Sequence, residues 1–103
     1  MGQFVKAGTT AELDAAQPAK VVEAGGCTIA VFCRGGAYYA IENTCPHRGG
    51  SLGEGMLDGD AVICPWHGAR FDIKSGAVLG PPAEQGVRSF PVRVTGADVE
   101  VEV

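Results

Sequence analysis

The sequence predicts an all-β domain. Sixteen glycines among 103 residues punctuate short runs rich in Val, Ile, Phe and Tyr, the pattern of many brief strands joined by tight turns. The C-terminus alternates Val99, Val101 and Val103 against Asp98, Glu100 and Glu102, the period-two signature of a half-buried strand. Helix has little room.

From the N-terminus, Thr10 to Gln17 supports a turn of helix, which Pro18 and the lack of a sustained apolar stripe keep short. Thr28 to Arg34, Gly35-Gly36 and Ala37 to Glu42 predict a hairpin, because paired glycines supply the positive φ of tight turns. Its second strand delivers the chain to Cys45. Met56-Leu57 and Ala61-Val62-Ile63 flank Asp58-Gly59-Asp60 and form a second hairpin that ends at Cys64. Phe71-Asp72-Ile73, the turn Lys74-Ser75-Gly76 and Ala77-Val78-Leu79 make a third, leading into the stiff pair Pro81-Pro82. Val92 and Val94 then face the last strand across Thr95-Gly96-Ala97. There are no repeats or low-complexity linkers.

A chain this short removes only roughly 60–70% of its unfolded surface from water, so one modest core, stapled by a bound metal, is the expectation. Eight Lys and Arg against twelve Asp and Glu leave a formal charge of -4, the wrong sign for nucleic acid or an anionic membrane. Apolar runs such as Thr28 to Phe32 and Ala61 to Ile63 are far shorter than the ~20 residues that span a bilayer. Met1 to Lys6 lacks the basic start and apolar stretch of a secretory signal. A cytoplasmic protein with no membrane partner is expected.

Four cysteines would suit two disulfides in a secreted framework, but two of them stand beside histidines, which favours ligand chemistry. Cys27 and Cys33 lie apart in the apolar stretch 26–33. Their even spacing puts both on one face of a strand, as buried or half-buried inert thiols that behave like small hydrophobes.

Cys45-Pro46-His47 and Cys64-Pro65-Trp66-His67 are separated by sixteen residues. Each box offers one thiolate and one imidazole, and both histidines of the chain fall in them. Zinc fingers instead group their ligands as Cys with Cys and His with His. A 2Fe-2S cluster accommodates the mixture when one iron takes both cysteines and the other both histidines. Structural zinc in the same four residues is the competing reading. Beside the boxes, Gly49, Gly50 and Gly68 allow backbone N–H groups to approach the sulfurs, and Pro46, Pro65, Pro81 and Pro82 stiffen the loops. Trp66 covers the metal, presents a docking surface or simply packs its loop.

Cys45-Pro46-His47-Arg48-Gly49-Gly50 and Cys64-Pro65-Trp66-His67-Gly68 resemble the two cluster-binding boxes of Rieske proteins. The resemblance extends over most of the chain through Ser51-Leu52, Gly55, Leu57-Asp58-Gly59, Phe71-Asp72, Gly76 and Pro82. It implies an antiparallel β-sandwich base, 1–42 and 83–103, with an inserted cluster-binding subdomain, 43–82, in a single Rieske domain. It implies one 2Fe-2S cluster held by Cys45, His47, Cys64 and His67, with Arg48, Gly49, Gly50, Trp66, Gly68, Pro81 and Pro82 around it. The implied function is that of a Rieske ferredoxin, a monomeric one-electron carrier and not an enzyme. It would take electrons from a flavin-dependent ferredoxin reductase and pass them to the terminal oxygenase of a ring-hydroxylating dioxygenase, docking near His47 and His67. The alternative is a Rieske-like small subunit of a nitrite reductase or other oxidoreductase complex.

High-potential Rieske proteins carry an extra Cys in each box and a Ser and a Tyr near the cluster. The matching residues here are Gly50, Trp66, Ala69 and Phe71, so no bridge between the loops forms and two side-chain donors are missing. Donors to sulfur stabilise the reduced, more negative cluster. A potential near roughly −150 mV, the low end of the Rieske range, is expected.

Overall fold

Tight turns and short apolar runs assemble three antiparallel sheets in the computed structural model, which describes residues 2–15, 19–34, 36–44, 51–65, 68–80 and 85–103. The elements are β1 (Phe4–Thr9), α1 (Thr10–Ala15), β2 (Ala19–Ala24), β3 (Cys27–Arg34), β4 (Ala37–Glu42), a 3-10 turn (Leu52–Glu54), β5 (Met56–Asp58), β6 (Ala61–Ile63), β7 (Arg70–Asp72), β8 (Val78–Gly80), β9 (Ser89–Phe90), β10 (Val92–Thr95) and β11 (Asp98–Glu102). The sheet orders are β1-β11-β10, β2-β3-β4-β9 and β5-β6-β7-β8.

Strand β3 explains how the sheets stack. Ile29, Ala30, Val31 and Phe32 are all fully buried, so this run is covered on both faces. Period-two geometry divides it. Ile29 and Val31 pack with Val99, Val101, Leu13 and Phe90, whereas Ala30 and Phe32 pack with Ile41, Leu52, Val62 and Phe71. One strand thus serves two cores, and the second core joins the β2-β3-β4-β9 sheet to the β5–β8 sheet. Each large apolar side chain buried this way contributes about 1.5–3 kcal/mol.

All of the hairpins expected from the sequence form. Asp58 pairs with Ala61, Arg34 with Ala37, and Thr95 with Asp98. The short helix also forms, and Thr9 caps it reciprocally with Glu12. The Glu12 amide donates to Thr9 Oγ1 at 3.2 Å, and the Thr9 amide donates to Glu12 Oε1 at 2.9 Å, a capping box. That amide, and then Lys20, hold the Glu12 carboxyl below its ordinary range.

Strands β1, β2 and β9 were not anticipated. β1 carries a register shift between Lys6 and Gly8 that breaks its alternation, and its partner β11 lies at the other end of the chain. β9 has two residues, held by pairing of Ala40 with Phe90 and Ile41 with Ser89. β2 was legible after all. Gly25-Gly26 turns it into β3 with both φ positive, the same paired-glycine signal that marks 35–36.

Cys27 and Cys33 are half-buried, free thiols. Cys33 Sγ donates to Asp14 Oδ1 at 3.2 Å, and the Tyr38 hydroxyl donates to the same oxygen at 2.8 Å. Desolvation, and then the Asp14 carboxylate, push the Cys33 thiol above its usual range. The hydrogen bond to Asp14 raises Tyr38 to about 12. A raised thiol is a poor nucleophile at neutral pH, which agrees with an inert Cys33. Cys27 Sγ faces Arg88 Nη1 at 3.8 Å instead.

Candidate metal centre

The first box leaves β4 through Asn43 and Thr44 and returns at Ser51. Thr44 and Ser51 form an antiparallel bridge, which sets the residues on either side of 45–50 next to each other. Asn43 secures this mouth. Its backbone amide donates to Thr28 O at 2.9 Å and its carbonyl accepts from the Leu52 amide at 2.7 Å. Its side chain donates from Nδ2 to Ser51 Oγ at 2.9 Å, while Oδ1 accepts from the Gly53 amide at 2.8 Å.

The second box falls between the paired strands β6 and β7. Val62 pairs with Phe71 and Ile63 with Arg70, and the ladder continues as the Cys64 amide donates to Ala69 O at 2.7 Å. The Gly68 amide closes an α-turn onto Cys64 O at 3.1 Å. Gly68 has φ +77, with open space where a Cβ would stand. Its requirement is therefore conformational, and its amide meets a carbonyl where the sequence reading expected an approach to sulfur.

Pro81 and Pro82 follow β8, and the chain re-enters the described region at Gln85. The Val87 amide then donates to Gly76 O at 2.8 Å, tying this return to the β7–β8 turn. At Gly76 φ is +78, and a Cβ would overlap the Val87 carbonyl oxygen. Two separate constraints demand glycine there.

Of the four expected ligands, Cys64 lies within the described residues. It is free and 2% exposed, packed with Val62, Ala69, Phe71 and Leu52. A free, buried thiol at the head of a pinned turn suits a soft metal. Cys45, His47 and His67 lie outside the described residues, as do Arg48, Gly49, Gly50, Trp66, Pro81 and Pro82. Ala69 and Phe71 are fully buried and carry no side-chain donor.

Asp58 and Asp60 are not bare charges. Asp58 accepts from Arg70 Nη1 at 2.9 Å, and Asp60 lies 3.3 Å from Arg34 Nε and 3.4 Å from Lys74 Nζ. Such exposed pairs contribute ~0–1 kcal/mol each to stability, but they blunt the field that either acid would project toward a partner. Nothing local in the sequence signals these cross-strand partners, nor the role of Asn43.

The family model for the Rieske [2Fe-2S] domain matches residues 3–91. The chain belongs to this family. The Rieske domain carries one 2Fe-2S cluster, and the donor set of two thiolates and two imidazoles fits it. Among curated relatives, the ferredoxin component of the p-cumate 2,3-dioxygenase system of Pseudomonas putida is 42% identical over 79 residues, covering 76% of this chain and 67% of the relative. Among solved structures, the ferredoxin of carbazole 1,9a-dioxygenase from Nocardioides aromaticivorans IC177 superposes with a TM-score of 0.89 at 29% identity, covering 96% of each chain. A complex of reduced oxygenase and oxidised ferredoxin in carbazole 1,9a-dioxygenase aligns with a TM-score of 0.82 at 33% identity, over 95% of this chain and 91% of the other. The all-β Rieske fold and the role of electron carrier follow. This Rieske protein has the β5–β8 sheet contiguous in sequence, with Cys64 immediately after β6.

Proposed function

We propose that this chain is the ferredoxin component of a ring-hydroxylating dioxygenase system. Cys45 and Cys64 ligate one iron of its cluster and His47 and His67 the other, within a cluster-binding subdomain of residues 43–82. The observation that carries this reading is the pair of mixed Cys/His boxes in a chain 42% identical to a dioxygenase ferredoxin component. That likeness favours the dioxygenase assignment over a nitrite reductase subunit.

When bound, a Rieske cluster supplies one-electron chemistry at fixed ligation. The residues of this chain position and shield it. The Thr44–Ser51 bridge and the Cys64–Ala69 hydrogen bond hold the two box entrances in register with their strands. The buried apolar wall of Leu52, Val62, Ala69 and Phe71 keeps water from the Cys64 side. Four protein ligands leave no open coordination position, and no histidine remains for the 2-His-1-carboxylate iron site of an oxygenase.

The partners are a flavin-dependent ferredoxin reductase and a terminal oxygenase, which dock in turn near His47 and His67 through a small contact below about 1,200 Å². The chain works as a monomer in the cytoplasm. No helix among its described residues is long and apolar enough to cross a membrane.

Reconstitution tests the assignment. With NADH and fractions of the host containing its flavin reductase and dioxygenase, aromatic hydroxylation should rise at least about tenfold when the purified chain is added, as expected when a specific docked carrier replaces chance encounters. Hydroxylation indifferent to the chain, with nitrite reduction dependent on it, would transfer it to the alternative class.

A further inference from the structure

We infer that Asn43 is a positioning residue for the first metal-binding box, an inference that rests on the ligand assignment above. Among the described residues Asn43 is the one buried polar side chain, 7% exposed, and it stands two positions before Cys45. Every hydrogen-bonding group it owns is engaged by something that frames the box. Its backbone amide reaches back to Thr28 O of β3 at 2.9 Å, and its carbonyl accepts from the Leu52 amide at 2.7 Å. Its Nδ2 donates to Ser51 Oγ at 2.9 Å, and its Oδ1 accepts from the Gly53 amide at 2.8 Å and from the Ser51 hydroxyl at 3.2 Å.

The residue thus grips the chain on both sides of the six-residue segment 45–50. One end is its own backbone and the other is Ser51, Leu52 and Gly53. Gly53 is shaped to the arrangement, since a Cβ there would stand 3.0 Å from Asn43 Oδ1 and overlap Val21. A buried amide with all its partners met locks a unique geometry, whereas a half-met one costs more than an apolar residue. The bridge between Thr44 and Ser51 is an isolated pair, with no ladder beside it among the described residues. The Asn43 side chain takes that ladder's place.

The test compares cluster loss with unfolding. Asn43→Ala, Asn43→Asp and Ser51→Ala are purified anaerobically, and iron release to a chelator is timed at a temperature where far-ultraviolet circular dichroism shows each fold intact. Asn43→Ala should release iron at least about tenfold faster than the parent, since it removes the buried bond to the Gly53 amide and both bonds to Ser51. Asn43→Asp keeps acceptors for the Gly53 amide and the Ser51 hydroxyl and should recover most of the retention. Ser51→Ala, the gentler change, should accelerate release by a smaller factor and keeps the question answerable if Asn43→Ala does not fold. Amide exchange at Gly53 in metal-free protein supplies a readout independent of the cluster, and it should speed up in Asn43→Ala. Iron release that changes only in step with thermal unfolding, with Gly53 exchange unaltered, would overturn the positioning role. A parent protein that binds no iron, with Gly53 still protected by Asn43, would count against the ligand assignment and leave the clamp standing.

Discussion

Replacing Cys64 with Ser should strip the protein of its visible colour and of at least about nine-tenths of its iron, since even outer partners of metal ligands change affinity 10–100-fold. A serine hydroxyl has nearly the shape of the thiol but is a hard donor that stays protonated at neutral pH, the wrong chemistry for an iron–sulfur centre. The fold should survive. Cys64 contributes its backbone amide to Ala69 O at 2.7 Å whatever the side chain is, and its neighbours Val62, Ala69 and Phe71 are unchanged. A buried hydroxyl costs roughly 1–3 kcal/mol, a fraction of the stability of a domain. Iron content and absorbance of anaerobically prepared protein check the expectation, with Cys27→Ser and Cys33→Ser as controls. Those two thiols face Arg88 and Asp14, and both controls should retain full iron. Full iron in Cys64→Ser would remove this residue from the ligand set.

Gly76→Ala should be the most damaging of the glycine substitutions at the turns. Alanine at φ +78 costs about 1–2 kcal/mol in the left-handed region. Its methyl group would also overlap the Val87 carbonyl oxygen, and relief of that overlap breaks the 2.8 Å bond from the Val87 amide to Gly76 O. Together these should remove about 3 kcal/mol or more, which lowers the melting temperature by roughly 12 °C or more in a domain of this size. Gly59 is the matched control. It has φ +62 but nothing near the position of a Cβ, so Gly59→Ala should lose only about 1–2 kcal/mol. Thermal unfolding followed by circular dichroism separates the two, and equal shifts would show that the Gly76–Val87 contact carries no weight.

Legibility in the sequence followed the range of the interactions. Gly59, Gly36 and Gly96 announce their hairpins because a two-residue turn is a local event, and all three have positive φ in the structure. β11 was equally plain, since Val99 and Val101 are buried and the intervening acids are not. By contrast, β1 and β9 exist through partners distant in sequence, and no local pattern encodes a two-residue strand such as Ser89–Phe90. The boxes were legible because metal chemistry restricts residue type and spacing together. The clamp on the first box was not, because an asparagine before a box reads as an ordinary loop residue until Ser51 and Gly53 are seen around it. The ion pairs of Asp58 and Asp60 were hidden for a related reason: Arg70 and Arg34 reach them across strands.

The β3 strand shows how a short apolar run carries more than one message. Read alone, Thr28 to Cys33 is a buried strand. In the fold it is a shared wall, with Phe32 and Ala30 packed against the β5–β8 sheet and Ile29 and Val31 against β11 and α1.

The most direct measurement is an anaerobic redox titration of the purified chain followed by low-temperature electron paramagnetic resonance. One-electron reduction should give a rhombic signal of mixed nitrogen and sulfur ligation, with a midpoint of about −150 mV because Ala69 and Phe71 offer the cluster no side-chain donor. A colourless protein that stays silent on reduction and contains stoichiometric zinc would contradict it.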